Sequence, residues 1–357
     1  MKILLYDVDS VWTNLALMKI SSWHKAKGDF VALTRLKNRR YDKFGPHIST
    51  EIRAPIAKYD KVYISCIFTK NAGLAKSAAI MFQSLGMEVE IGGSGVNLSK
   101  SLPEEVEHQC PDYSLYNLDY SMGFLTRGCI RRCPWCIVWQ KEGDIKLWSP
   151  LKEFLRHKRV MLLDNNLLAH PEHKKLLNEL IRERVEVCFT QGLDIRLIDN
   201  ENAKLLKLIH YRDTKFNKPR LYFSWDVLDI ENHVLKGIET LEKNGIRPNH
   251  LMFYILCGFH VKKEDYTWEY FLENDWYRFE VLAKKGCRPF IMRWNRRKDI
   301  PLLTMFSRWV NKAQKAKKKS LGLMGSFQTW LKHQYSPFKI RKILMRRDAV
   351  AVRNSAQ

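Results

Sequence analysis

The first third of the chain alternates between short apolar runs and segments whose apolar residues recur at helical spacing. The short runs predict four strands, at residues 2–6, 30–33, 62–67 and 89–91. Helical spacing covers residues 14–27 and 72–85, and each segment ends at a glycine, Gly28 or Gly86. This alternation predicts a parallel sheet covered by helices, which binds ligands at the carboxyl ends of its strands.

A second strand–helix series follows residues 110–122, which we interpret as a linker. Its predicted strands are residues 123–126, 160–163, 185–190, 221–225, 251–256 and 289–293. Helical patterns separate them, at residues 150–157, 171–184, 201–210, 230–244 and 266–285. Six such repeats predict a partial (β/α)6 parallel barrel. An open doubly wound sheet remains the alternative, because periodicity does not distinguish the two.

Membrane and secreted classes are excluded by the same patterns. No apolar run reaches the roughly 18 residues that a membrane helix needs. The apolar run at the N-terminus ends in Asp7, which is typical of a strand and too short for a signal peptide. We therefore expect a cytoplasmic protein with reduced thiols, whose eight cysteines are ligands, nucleophiles or core residues.

Charge is distributed unevenly along the chain. The net charge is +23, and residues 288–357, called the basic segment below, hold 18 basic and two acidic residues. Its candidate helices are residues 302–319, 327–335 and 340–347, with a turn at 322–325. Four lysines crowd one stretch, Lys315, Lys317, Lys318 and Lys319. Such a segment favours a polyanionic partner.

Aromatic residues are interleaved with the basic ones. They are Trp294, Phe306, Trp309, Phe327, Trp330, Tyr335 and Phe338. Basic and aromatic residues together suit phosphate backbones and stacked bases. A second interpretation is that the aromatics pack this segment against the rest of the fold while the lysines stay solvated. No complete nucleic-acid-binding fingerprint is present.

Three cysteines lie close together just after the predicted strand at residues 123–126. Cys129, Cys133 and Cys136 are spaced C-x3-C-x2-C. Thiolates are soft ligands suited to iron–sulfur clusters or zinc. Three thiolates leave one iron of a [4Fe–4S] cluster open to a small molecule. A structural zinc site needs a fourth ligand, and Cys110, His108 and His157 are not at zinc-finger spacing. Nearby arginines favour thiolate, namely Arg127, Arg131 and Arg132.

This motif resembles that of the radical S-adenosylmethionine (SAM) superfamily, in which an aromatic residue, here Trp135, precedes the third cysteine. The resemblance covers roughly residues 123–295 and implies a [4Fe–4S] cluster on the three cysteines. It also implies that SAM binds the open iron and is cleaved reductively to a 5′-deoxyadenosyl radical, with electrons from a reductant such as flavodoxin or ferredoxin. The cofactor supplies this chemistry, while the protein orients it and excludes water.

The resemblance also implies where SAM contacts lie, at the carboxyl ends of successive strands. The candidates are Trp135, Asp164, Asn165, Gln191, Asp194, Arg196, Ser224 and Asp226. Arg196 is suited to bidentate pairing with the SAM carboxylate. The alternative is that such residues cap helices, as Asp194 does in an ordinary N-cap pattern. Cys188 lies in an apolar strand and is expected in the core, while Cys257 at a strand end is expected either in the core or facing the site.

Residues 1–109 resemble the Rossmann-like cobalamin-binding domain that precedes the barrel in a subset of that superfamily. Ser65-Cys66-Ile67 and Gly92-Gly93 match two of its elements. The first element departs, because Asp9 stands where the cobalt-binding histidine is expected. Base-off cobalamin binding without a histidine and loss of the cofactor are the two alternatives. A methylthiotransferase, which uses three further cysteines in this domain, is disfavoured, since only Cys66 and Cys110 precede the motif.

The predicted organisation is therefore a Rossmann-like domain (1–109), a linker (110–122), a radical SAM partial barrel (123–300) and a basic helical C-terminal extension (301–357). The predicted function is radical modification of a substrate, with methylation among the candidate reactions. The basic segment favours a nucleic acid, such as a tRNA, as substrate; a peptide and an acidic carrier protein are the other candidates. A non-catalytic zinc- or cluster-containing nucleic-acid-binding protein is the alternative from another class.

Overall fold

A computed structural model describes residues 1–10, 12–36, 40–42, 45–47, 58–259, 261–313 and 322–334. The chain is mixed α/β with mostly parallel sheets, as predicted, and divides into two compact units, Met1–Asn165 (unit 1) and Asn166–Gln357 (unit 2). The Rossmann-like and partial-barrel assignments and the domain boundaries stay predictions. None of the described helices combines the length and apolar character needed to cross a bilayer.

Unit 1 contains ten short strands and five helices in its described part. The strands are β1 (Lys2–Asp7), β2 (Phe30–Arg35), β3 (Arg40–Asp42), β4 (Gly45–His47), β5 (Lys61–Ser65), β6 (Glu88–Gly92), β7 (Ser121–Gly123), β8 (Thr126–Arg127), β9 (Lys146–Leu147) and β10 (Arg159–Leu162). The helices are α1 (Leu15–Ala26), α2 (Ala72–Ser84), α3 (Glu104–Glu107), α4 (Val138–Lys141) and α5 (Leu151–Phe154).

The first four predicted strands form one parallel sheet in the order β2-β1-β5-β6. Successive side chains of a strand point to opposite faces, so β1 contributes to two cores. Leu4 packs with Phe82 of α2 on one face, whereas Ile3 and Leu5 pack with Leu17 of α1 on the other. The apolar run of β1 is therefore continuous because both faces of the sheet are covered.

The strand predicted at residues 123–126 is in fact two strands. β7 pairs with β10 in parallel, whereas β8 forms an antiparallel hairpin with β9. The break occurs because the backbone N–H groups of Leu125 and Thr126 donate to the buried carboxylate of Asp164 rather than to a neighbouring strand. A side chain that lies 38 residues further along the chain from Thr126 thus decides where the strand ends.

The segment interpreted as a linker has its own tertiary contacts. Tyr113 is buried, and its hydroxyl donates to the carbonyl oxygen of Phe154 at 2.5 Å. Ser121, at the end of the segment, is the first residue of β7 and is also buried. Residues 113 and 121 are therefore fixed within unit 1.

Unit 2 consists of two groups of parallel strands and their connecting helices. The strands are β11 (Glu186–Phe189), β12 (His210–Tyr211), β13 (Leu221–Ser224), β14 (Leu251–Cys257) and β15 (Arg288–Arg293). The helices are α6 (His173–Arg182), α7 (Asn200–Leu208), α8 (Glu231–Lys243), α9 (Trp268–Tyr270), α10 (Tyr277–Lys284), α11 (Pro301–Ala313) and α12 (Gly322–Gln334). β11 pairs with β12, and β14 lies between β13 and β15.

Three aromatic residues of the basic segment belong to a core rather than to a stacking surface. Phe306, Trp309 and Phe327 are buried and contact Phe271 and Trp276 edge-on, tilted or stacked. The packing interpretation is therefore confirmed for these three residues. The turn predicted at residues 322–325 is wrong, because these residues begin α12.

Other parts of the basic segment lie outside the described residues. They are the four lysines at 315 and 317–319, the aromatic residues Tyr335 and Phe338, and the candidate helix at 340–347.

Candidate metal centre

The three cysteines lie on a loop, residues 128–145, that is closed at its base by a short ladder. Thr126 pairs with Leu147, and Arg127 pairs with Lys146. Just inside the ladder, the backbone N–H of Cys129 donates to the carbonyl oxygen of Gly143 at 3.2 Å. The ladder and this hydrogen bond hold the two ends of the loop together.

Gly128 brings the two ends of this loop unusually close. Its φ is +84°, and a Cβ placed on it would lie 2.2 Å from the carbonyl oxygen of Asp144. Real Cβ atoms do not approach an oxygen so closely, and a positive φ is costly for any residue other than glycine. The glycine directly before Cys129 is therefore a requirement of this backbone path.

Asp164 anchors the start of the loop. Its side chain is 5% exposed, and one oxygen accepts hydrogen bonds from the backbone N–H and the hydroxyl of Thr126, at 2.5 and 2.7 Å. The other oxygen accepts from the N–H of Leu125 at 3.2 Å. Burial raises the pKa of Asp164 to about 6 despite these hydrogen bonds. The residue predicted to contact SAM thus has an observed role in shaping the chain that leads into Cys129.

Glu142 anchors the other end of the loop. Its carboxylate accepts from Arg127 at 2.9 Å, from the backbone N–H of Gly128 at 3.2 Å and from the amide of Asn165 at 2.7 Å. Burial alone would raise the pKa of Glu142, but the hydrogen bond and the charge of Arg127 outweigh it and hold the pKa below its usual range. Asn165, predicted to contact SAM, is therefore joined to the loop through Glu142.

Arg127 is neutralised rather than directed at the thiols. Besides its ion pair with Glu142, it lies 3.5 Å from a carboxylate oxygen of Glu107. Its guanidinium sits over the rings of Phe124 and Trp148, 4.7 and 4.8 Å from their centroids. The expectation that this arginine favours thiolates by its charge is therefore weakened, and its observed role is to tie the base of the loop to α3.

The three loop cysteines differ from most of the others in accessibility. Cys129, Cys133 and Cys136 are partly exposed and free of disulfides, and the backbone N–H of Arg131 donates to Cys129 Sγ at 3.3 Å. Of the remaining cysteines, four are buried and Cys110 is partly exposed like the loop cysteines. Burial raises the pKa of the Cys66, Cys188 and Cys287 thiols to about 12, raises that of Cys257 well above its ordinary value, and raises that of Cys110 to a smaller extent.

This contrast bears on which thiols can hold a metal. Thiolate, not thiol, is the form that binds a metal. The five cysteines whose thiol pKa is raised are therefore poor ligands. Cys188 and Cys257 are both buried, as expected for core residues. The donor set that remains is the trio on the loop, which fits a soft metal or an iron–sulfur cluster in its chemistry.

The loop does not surround a preformed metal position. Within the described part of the chain, no three His, Cys, Asp or Glu side chains converge closely enough to hold an ion. Trp135, between the second and third cysteines, is partly buried.

Two of the predicted SAM residues of unit 2, Asp194 and Arg196, pair with each other. Arg196 makes a bidentate ion pair with Asp194, with N–O distances of 2.7 and 3.0 Å. Asp226 follows β13 and accepts the backbone N–H of Leu256 at 3.0 Å, and burial raises its pKa. Ser224 is partly buried and Gln191 is exposed. Their assignment to SAM stays a prediction.

Glu142 and Glu107 are the two residues of the loop base that sequence reasoning missed. Glu107 accepts from Lys19, Arg127 and the indole N–H of Trp148. Neither glutamate lies in a recognisable motif, and their partners are distant in the chain. The one signal in the sequence was the pair of acidic residues, Glu142 and Asp144, near the end of a loop that begins with Thr-Arg-Gly.

The carboxyl edge of the first sheet does not fit a corrinoid. Asp9, at the expected histidine position, is buried and accepts the backbone N–H groups of Ile67 and Phe68 at 2.7 and 3.0 Å. A Cβ on Gly93 would lie 2.2 Å from the carbonyl oxygen of Cys66, so this glycine permits contact between two loops of the protein. The hydroxyl of Ser65 accepts from Asn14 at 2.8 Å. The groups of the loops after β1, β5 and β6 that a corrinoid would meet are therefore bound to one another instead.

Comparison with models of known protein families returns no match for this chain. A search of curated proteins also finds no similar protein.

Proposed function

We propose that the chain is a radical SAM enzyme whose [4Fe–4S] cluster is held by Cys129, Cys133 and Cys136. The observation that carries the proposal is the segregation of the cysteines. Three partly exposed thiols share one short loop, whereas four of the others are buried. Cys110 is also partly exposed, but it lies outside the loop and its thiol pKa is raised by burial. The C-x3-C-x2-C spacing with Trp135 before the third cysteine adds the specific resemblance.

The cluster, when bound, supplies the electron that cleaves SAM to an organic radical. The residues of this chain supply the frame. Asp164 orients the chain before Cys129, and Glu142 joins the returning arm of the loop to Arg127 and Gly128. Because both carboxylates are buried or half-buried and satisfied by N–H groups, the frame is rigid at its base while the thiols remain accessible. This frame does not involve the predicted SAM residues of unit 2.

The proposal names only the chemical class of the substrate, which is a nucleic acid. The basic segment supports a nucleic acid through its net charge of +16, which attracts a phosphate backbone. Aromatic stacking no longer supports it at Phe306, Trp309 and Phe327, since these residues are buried. Electrons would come from a flavodoxin or ferredoxin. The proposed reaction does not use cobalamin, since the described residues at the sheet edge do not fit a corrinoid.

Anaerobic reconstitution with iron and sulfide tests the proposal. The wild-type chain should bind about four irons and four sulfides, absorb visible light through sulfur-to-iron charge transfer, and release 5′-deoxyadenosine from SAM with dithionite. Cys129→Ala should lose both the cluster and the product. Cys110→Ala is the matched control, because it removes a half-buried thiol outside the loop and should leave both intact.

Two outcomes would overturn the proposal. If Cys129→Ala and the wild type released the same amount of 5′-deoxyadenosine, the ligand assignment would be wrong. If the chain took up one zinc ion in place of iron and sulfide and never cleaved SAM, the non-catalytic alternative would hold instead.

A further inference from the structure

A cavity of about 510 Å³ lies at the amino ends of β13, β14 and β15 in unit 2. It is bounded by the loop of residues 213–218, by the first residues of the three strands and by the end of α11. The predicted SAM residues Ser224 and Asp226 follow the same sheet at its carboxyl ends. The cavity is therefore separate from that predicted site, and it is of the size that small-molecule sites usually have.

Strand register places the side chains that line this cavity. Tyr222 pairs with Met252, and Met252 pairs with Arg288, so these three residues form a row across the sheet. Neighbours in register on parallel strands point to the same face, as do residues two apart on one strand. Arg220 and Phe290 lie two residues from members of the row and extend it. The cavity thus has an apolar floor and two arginines at its amino-end rim.

Four cations line the cavity without a carboxylate partner. Among the described residues, no carboxylate forms an ion pair with Lys215, Lys218, Arg220 or Arg288. Asp213 is the single acid in the lining, and one of its oxygens already accepts backbone N–H groups from Lys215, Asn217 and Lys218. The four cations and one acid give the lining a formal net charge of +3.

Arg220 is the least expected of these cations. The residue is 5% exposed, and its Nη1 donates a hydrogen bond to the carbonyl oxygen of Asn249 at 2.9 Å. Burial, and repulsion by Arg288, lower the pKa of Arg220. A buried guanidinium that a second cation repels is costly unless an anion compensates its charge.

We propose that this cavity binds a phosphate group whose carrier lies against the apolar floor of Tyr222, Met252 and Phe290. The planar forks of two arginines match phosphate oxygens in bidentate fashion, and the two lysines add point charges. A single carboxylate would leave most of the positive charge uncompensated, whereas a phosphate or diphosphate offsets it. The carrier is either a small phosphorylated molecule or a nucleic-acid strand. The proposal does not rest on the cluster or on SAM.

Isothermal titration calorimetry on the purified full-length chain tests this inference, with inorganic pyrophosphate and a short single-stranded RNA as probes. Arg288 is exposed, so Arg288→Gln should fold normally and weaken binding about tenfold, as expected for loss of a charged hydrogen-bonding partner. Arg182→Gln changes the same charge on the exposed end of α6 and should bind like the wild type. The double variant Lys215→Gln/Lys218→Gln should also weaken binding, and Lys204→Gln/Lys236→Gln is its matched control.

The two probes separate the sources of the phosphate. Pyrophosphate binding that RNA does not compete with indicates a small ligand, whereas RNA binding that pyrophosphate displaces, and that Arg288→Gln weakens, indicates a strand. If neither probe binds, or if each cavity variant binds like its control, the cavity is not a phosphate site. Each titration is repeated with the Cys129→Ala chain. Phosphate binding can therefore be judged even if the cluster proposal fails.

Discussion

The close approach at Gly128 leads to the sharpest prediction about the cysteine loop. Two glycines of the loop base have a positive φ, +84° at Gly128 and +72° at Gly143. A Cβ on Gly128 would lie 2.2 Å from the carbonyl oxygen of Asp144, whereas a Cβ on Gly143 would have no neighbour within 4 Å. Gly128→Ala and Gly143→Ala therefore share the cost of the left-handed conformation and differ only in the clash.

The magnitudes follow from the contacts. An alanine in the left-handed region costs about 1 to 2 kcal/mol, and both variants incur this cost. In Gly128→Ala the two arms must also separate by more than an ångström. That movement breaks the hydrogen bonds from Cys129 N to Gly143 O and from Gly128 N to the Glu142 carboxylate. At about 1 kcal/mol each, and more for the charged acceptor, the extra cost is about 2 to 3 kcal/mol.

Limited proteolysis measures this difference without any cluster. Trypsin cuts after Arg132, which is exposed on the loop, and its rate under native conditions reports the population of the opened loop. We expect Gly128→Ala to be cut about 50-fold faster than Gly143→Ala, since 1.4 kcal/mol corresponds to a factor of ten. After reconstitution, Gly143→Ala should keep most of its iron and Gly128→Ala should lose it. Equal cleavage rates in the two variants would refute the close contact.

Three further predictions concern a carboxyl, an aromatic core and a sheet edge. Burial raises the pKa of Asp164 to about 6 from an ordinary 3.8, so the folded chain retains a proton between about pH 4 and 6 that the unfolded chain releases. The unfolding free energy of the wild type should thus fall by about 3 kcal/mol relative to Asp164→Asn as pH rises through this window, and a difference that stays flat would contradict the raised pKa. Phe306→Ala should lower the unfolding free energy by about 3 to 5 kcal/mol by calorimetry or denaturant titration, because the ring is fully buried; lost RNA binding with unchanged stability would indicate a stacking role instead. Incubation with hydroxocobalamin should leave no corrinoid on the chain after gel filtration, because Asp9 and Gly93 hold the loops closed; stoichiometric retention in the visible spectrum would show that the edge opens.

Local patterns were sufficient for most of the secondary structure. The strands β1, β2, β5 and β6 and the helices α1 and α2 lie within about two residues of their predicted bounds, since a short apolar run marks each strand and helical spacing of apolar residues marks each helix. Predictions failed where a distant group intervened. The strand at residues 123–126 is interrupted by the carboxylate of Asp164, and the predicted turn at residues 322–325 is instead the first turn of α12.

The candidate site was partly accessible to sequence reasoning. Cys129, Cys133 and Cys136 were recognisable because ligand spacing within one loop is a local property. Their accessibility relative to the other thiols was not, because burial depends on which elements pack over each cysteine. Charge and aromatic content likewise suggested a stacking surface in the basic segment, yet the sequence does not record which rings face the core.

The sequence alone determined the α/β class, the order of the first four strands along the chain, the loop that carries three cysteines, and the concentration of charge after residue 287. The tertiary structure decided that Asp164 and Glu142 clamp the cysteine loop, that Asp9 closes a sheet edge, and that Arg220 and Arg288 share a cavity. The physical reason is sequence separation. Periodicity acts over a few residues, whereas a buried charge obtains its partner, or lacks one, from segments tens of residues away.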